Sequence, residues 1–180
     1  MARSLPRTTA AMLELDYLQR ERNPLPPLLR GQLRWTAAHA NHCAYSEAYA
    51  LADLRRAGID EAAVKALTQD QASLPAKERT ALAFAQKLTL AASTVSDAEV
   101  SQLIDYYGEK PVVAMVLLLA YANFQDRLFL ALNLAVEEGG PLPPLKVCFT
   151  ENHLTERGET RPARLVANGA RNNLMHRPLA

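Results

Sequence analysis

Helix start and stop signals recur through the first 140 residues and constrain the fold more than any other feature of the sequence. Asn23-Pro24 ends one apolar stripe, Pro26-Pro27 begins the next, and Gly58 follows a segment that closes with two arginines. No segment alternates apolar and polar residues in the manner of a half-buried strand. The sequence therefore predicts an all-α fold, a bundle of six to seven helices.

The same signals give approximate bounds for each helix. The expected ranges are about 8–22, 26–40, 43–56, 60–67, 73–92, 96–107 and 111–138. Asn41 is expected to break the second helix and to cap the third, whereas Ser96 and Glu99 form a capping box. The run from Val112 to Ala122 is apolar on all sides, which predicts the central core helix of the fold. Polar residues follow this run at once, so it is too short to span a bilayer.

Composition favours one folded domain. Of the 180 residues, 49% are apolar and 22% are charged, and the net charge of +1 gives no general case for binding nucleic acid or a membrane. We expect a helical domain over residues 1–140 and an irregular basic tail over 141–180, which holds six Lys or Arg against three Glu. Two cysteines, Cys43 and Cys148, are too few for a disulfide framework and fit the reducing cytoplasm.

Residues 37–50 contain the polar side chains that most resemble a site. Cys43 is predicted at a helix N-terminus, which favours a thiolate, and Glu47 lies one turn later, where it can relay a proton. We take Cys43, Glu47 and His39 as candidate catalytic residues, with an inert buried cysteine as the alternative. His39, His42 and Cys43 also suggest a metal triad, but Asn41 interrupts the helix between them and no fourth ligand has recognisable spacing. We therefore expect no metal and no cofactor.

Asn41, Cys43 and Tyr45 match a known motif, Asn-x-Cys-x-Tyr-Cys followed by His four residues after the second Cys. With this motif the chain resembles the alkylhydroperoxidase D and carboxymuconolactone decarboxylase family. Residues 78–85 and 121–127 are similar to two further helices of that family. The resemblance implies an all-α fold and a homo-oligomer, such as a dimer, trimer or hexamer, that could take a small-molecule ligand.

The resemblance also implies that the family's proton relay is incomplete here. Its glutamate falls on Gly31, its attacking cysteine on Ser46 and its histidine on Ala50, so that Cys43 matches only the resolving thiol. Dithiol peroxidase chemistry is therefore not expected. Two hypotheses remain: a divergent enzyme acting on a peroxide or a small carbonyl or lactone compound, or a non-catalytic oligomeric binding or structural protein. A bridge between Cys43 and Cys148 is not favoured, because nothing in the spacing brings them together.

Overall fold

Seven α-helices make up most of residues 5–146, the part of the chain that the computed structural model describes. No strand occurs in this part, and the predicted all-α fold is confirmed. A π-helical turn, Leu18–Arg22, follows the first helix, and short 3-10 turns precede and follow the fifth. The helices are α1 (Pro6–Tyr17), α2 (Pro27–Ala40), α3 (Ala44–Arg56), α4 (Glu61–Gln69), α5 (Ala76–Ala91), α6 (Asp97–Tyr107) and α7 (Glu109–Ala131).

The central helix is α2, not the last helix as the sequence suggested. Eight consecutive residues of α2, from Gly31 to Ala38, are buried, because α3, α5 and α7 pack around it. Helix α7, which contains the apolar run, instead buries one face and leaves the other exposed, with Val113 54% and Leu117 57% accessible. Hydropathy alone misassigned the two helices, since α2 buries polar side chains such as Gln32 and Arg34, which bind Glu78 and Asp53 inside the fold.

The bounds of α7 also differ from those expected. The helix begins at Glu109, directly after Gly108, and ends at Ala131 rather than near Glu138. Asn133 adopts a positive φ of 49°, and the apolar residues Leu132 and Leu134 beyond the helix are exposed. Among residues 5–146, α7 alone has the length and hydropathy to cross a membrane, although 44% of its most apolar window is buried, and a core helix of a folded domain meets the same criteria.

A tight junction joins α2 to α3. The prediction that Asn41 caps α3 was wrong: Asn41 ends α2 in a right-handed conformation, and Cys43 is the residue at the N-cap of α3. His42 between them takes the left-handed conformation, with φ of 56°, and the Cys43 amide donates to the Ala38 carbonyl at 2.9 Å. This geometry turns the Asn41 side chain away from the α3 amides and inward towards α7.

Candidate functional site

Cys43 lies at the start of α3 and is 1% exposed. Its thiol donates to the Ser46 hydroxyl one turn later in the same helix, with a distance of 3.4 Å between Sγ and Oγ. With an exposed fraction of 1%, the Cys43 side chain lies inside the fold rather than in solvent. The thiol is therefore held in a buried polar environment.

Asp126 of α7 provides the carboxyl group in that environment and is itself only 1% exposed. Asn41 Nδ2 donates to Asp126 Oδ2 at 2.8 Å, and the Ser46 hydroxyl and the Cys43 thiol also lie beside the carboxyl group. Burial raises the pKa of Asp126 above that of an ordinary aspartate, although the bonds from Ser46 and Asn41 act in the opposite direction. The fold thus places a weakly acidic carboxyl group next to a thiol and a hydroxyl.

Amide side chains fix the position of the Asp126 carboxyl group. We call Asn41, Cys43, Ser46, Asn123 and Asp126 together the Asp126 cluster. Asn41 Nδ2 also donates to Asn123 Oδ1 at 3.0 Å. Asn123 Nδ2 in turn donates to the Leu119 carbonyl at 2.9 Å and to the Thr89 hydroxyl at 3.1 Å. The cluster therefore joins the α2–α3 junction to α7 and α5.

The three candidate catalytic residues fall into two groups. His39 Nδ1 and Glu47 Oε1 lie 3.1 Å apart on the surface, where the His39 side chain is 63% exposed and stacks on Trp35. Cys43 is separated from this pair by its burial, and its polar neighbours are Ser46 and Asp126. The structure thus brings His39 and Glu47 together and gives Cys43 a different carboxyl partner.

Two of the three positions where the family relay would fall are buried. A side chain at Gly31 would meet Leu54, since its Cβ would stand 2.5 Å from Leu54 Cγ. Ala50 is fully buried. Neither position leaves room for a glutamate or a histidine, whereas Ser46 is partly exposed and lies beside the Asp126 carboxyl.

Two tyrosines of α3 form a separate contact. The hydroxyls of Tyr45 and Tyr49 each donate to a carboxylate oxygen of Glu137 at 2.8 Å, and the two rings stack with centroids 4.6 Å apart. Burial raises the pKa of both tyrosines, and the bond to Glu137 acts in the same direction. These rings hold the segment after α7 against α3, which agrees with a packing role.

Metal-ligating side chains do not gather in residues 5–146, where no three His, Cys, Asp or Glu groups could share an ion. His42 points to solvent, and a cavity of about 260 Å³ lies at the other end of α3, lined by arginines rather than by Cys43. Cys148 lies outside the described residues, as do residues 147–180 of the basic tail.

Sequence reasoning missed Asp126, although a signal for it was present. Asp126 stands four residues after Ala122 and seven after Leu119, both buried, so it continues the buried stripe of α7. A carboxylate on such a stripe is rarely buried without polar partners. Its partners come from the α2–α3 junction, more than eighty residues earlier in the chain.

No family model and no curated protein sequence matches this chain. Among solved structures, the chain is similar to a crystal structure of a protein of unknown function from Agrobacterium tumefaciens, which carries the suggested description of antioxidant defence protein AhpD. The two share 17% sequence identity with a TM-score of 0.64, over 74% of this chain and 93% of the other. At this identity the likeness establishes the fold, which is the helical fold of the AhpD type.

Proposed function

We propose that this chain is a divergent, peroxidase-related member of the alkylhydroperoxidase D and carboxymuconolactone decarboxylase family that no longer performs disulfide exchange. In its place, the Asp126 cluster carries out acid–base chemistry on a small carbonyl or lactone compound. The likeness of fold supports the family, together with Asn41, Cys43 and Tyr45 of the motif. The observation that carries the reaction class is the buried Asp126 carboxyl, with its raised pKa, beside Cys43 and Ser46.

Burial raises the pKa of Asp126 above that of an ordinary aspartate, which makes its carboxyl group a weaker acid and its carboxylate a stronger base. Carboxyl groups shifted in this direction serve as general acids and bases in proton transfer. Asn41 orients one carboxylate oxygen of Asp126, and Ser46 is a partly exposed member of the cluster. In this proposal Asp126 donates a proton to the substrate oxygen and takes one back, while Cys43 and Ser46 orient the substrate.

The test is the alkylation rate of Cys43 by iodoacetamide as a function of pH, in a Cys148→Ser background that leaves one thiol. Asp126→Asn should speed alkylation about tenfold at pH 8, because it removes a negative charge next to the thiolate, and about 1.4 kcal/mol of charge interaction gives that factor. Cys43→Ser shows the background labelling. Circular dichroism checks that each variant keeps its helices.

Glu47→Gln is the matched control, because it removes a carboxylate from the same helix but from the surface pair with His39. We expect it to change the rate less than twofold. If Glu47→Gln accelerates alkylation and Asp126→Asn does not, the proton partner of Cys43 is Glu47, and the Asp126 cluster is not the site.

A second candidate is a non-catalytic oligomeric binding or structural protein. It is favoured by the 1% exposure of Cys43 and by the position of the described cavity away from the thiol. This candidate predicts that Cys43 is alkylated only as fast as the protein unfolds, at every pH, and that Asp126→Asn acts through the unfolding rate alone. Comparing labelling with unfolding rates measured in urea distinguishes the two. Either candidate is proposed as a cytoplasmic homo-oligomer.

A further inference from the structure

A cavity of about 260 Å³ lies between the π-helical turn, the first half of α2 and the end of α3. Four arginines line it, Arg20, Arg30, Arg34 and Arg56, together with two acidic residues, Glu21 and Asp53. The lining thus carries two more positive than negative charges. Cys43 is not among the lining residues, so this cavity is a different place from the Asp126 cluster.

Three of the four arginines pair with the carboxylate of Asp53, and Arg20 also pairs with Asp16 at 2.9 Å. Arg20 donates through Nε and Nη2 to the two oxygens of Asp53 at 2.7 and 2.8 Å, and Arg34 and Arg56 also pair with Asp53. Burial alone would raise the pKa of Asp53, but Arg20 and the charge of Arg34 hold it well below its usual range. Asp53 therefore stays ionised and neutralises part of the positive charge of the four arginines.

Arg30 differs from the other three. Its Nη1 donates to the backbone carbonyls of Asn23 and Leu25 at 3.1 and 3.4 Å, and within residues 5–146 it forms no ion pair. Burial lowers the pKa of Arg30, and neighbouring Arg34 acts in the same direction, while the charges of Glu21 and Asp53 oppose them. A half-buried guanidinium without a carboxylate partner is costly, and an anion in the cavity would relieve that cost.

We propose that this cavity binds the carboxylate of a small organic acid, with the Arg30 guanidinium, which lines the cavity and forms no ion pair within residues 5–146, as its main partner. Guanidinium and carboxylate groups pair through two parallel hydrogen bonds, which matches the planar group that Arg30 presents. Asp16, which pairs with Arg20 at 2.9 Å, reduces the excess around the cavity to one positive charge, so a monoanion suits it better than a dianionic phosphate. The volume accommodates an acid of a few carbon atoms.

The test is calorimetric titration of the full chain with propionate at low ionic strength, with propionamide as the uncharged analogue. We expect saturable binding of propionate with a Kd of about 1 mM and no binding of propionamide. Arg30→Gln should weaken propionate binding at least tenfold. Arg55→Gln is the matched control, since Arg55 lies near the end of α3 but pairs with Glu61 outside the cavity, and it should change the affinity less than twofold.

Glu21→Gln provides a second test, which remains valid if the Arg30→Gln variant does not fold. It removes a negative charge that opposes the ligand, so propionate should bind about threefold more tightly. The proposal is overturned if wild-type protein shows no saturable binding, or if Arg55→Gln weakens binding as much as Arg30→Gln. It is also overturned if Glu21→Gln leaves the affinity unchanged, or if inorganic phosphate binds more tightly than propionate in an Arg30-dependent manner.

Discussion

At position 31 the fold has no room for a side chain. The Cβ of any other residue would meet Leu54, which is 1% exposed and enclosed by the core. The close contact of α2 with α3 therefore requires a residue without a side chain at position 31.

Gly31→Ala should lower the free energy of unfolding by about 1–3 kcal/mol, because overpacking forces neighbouring side chains to shift. Urea denaturation measures the change. Gly139→Ala is the control, since nothing lies within 4 Å of a Cβ built there, and it should have almost no effect. In the double variant with Leu54→Ala, the free energy of unfolding should fall by less than the sum of the decreases in the two single variants. Equal destabilisation at positions 31 and 139 would contradict the packing argument.

At the scale of helices, the start of α6 combines a capping motif that the sequence reveals with a contact to another helix. The Ser96 and Glu99 capping box predicted from the sequence is confirmed. Glu99 also binds Lys87 of α5 at 2.7 Å, a contact that the local pattern did not reveal. The bond to Lys87, followed by those with Ser96, lowers the pKa of Glu99 to about 2.

Because the folded pKa of Glu99 lies below its unfolded value, the ionised carboxylate stabilises the fold above the unfolded pKa. That stability is lost as the pH falls towards the folded pKa of about 2. Glu99→Gln keeps the shape of the capping box and removes the charge, so wild type should melt at the higher temperature at pH 7. The difference should shrink between about pH 5 and pH 2. A difference that does not change with pH would show that the charge of Glu99 contributes nothing.

At the scale of the whole molecule, α7 presents an apolar stripe that the described chain leaves uncovered. Val113, Leu117, Ala120 and Phe124 follow one another along one face, and Val113, Leu117 and Phe124 are at least half exposed. Apolar side chains aligned in this way are typical of an interaction surface. This stripe is the surface through which we expect the predicted homo-oligomer to assemble.

Light scattering at micromolar concentration should therefore give a mass at least twice the 19.8 kDa of one chain. Leu117→Asp should dissociate the assembly, because it places a charge in the centre of the stripe. Leu90→Asp is the control, since Leu90 is 61% exposed on α5, away from the stripe, and it should leave the mass unchanged. A monomeric wild-type protein would refute the prediction.

The sequence by itself determined the all-α fold and most helix starts and stops, because proline, glycine and capping residues act on their immediate neighbours in the chain. Asp60 at the start of α4 and Ser96 at the start of α6 cap as expected. The motif around Cys43 likewise marked the segment where polar groups meet. The division into residues 1–140 and a basic tail stays a prediction, because residues 147–180 lie outside the described part.

Only the tertiary structure decided which helix is central and which carboxylate lies beside Cys43. Burial depends on what surrounds a segment, so α2 with its polar residues became the core while α7 kept an exposed apolar face. Asp126 meets Cys43, and the arginines meet Asp53, through contacts between helices far apart in sequence. Such contacts follow from how helices pack against one another, which local patterns do not encode.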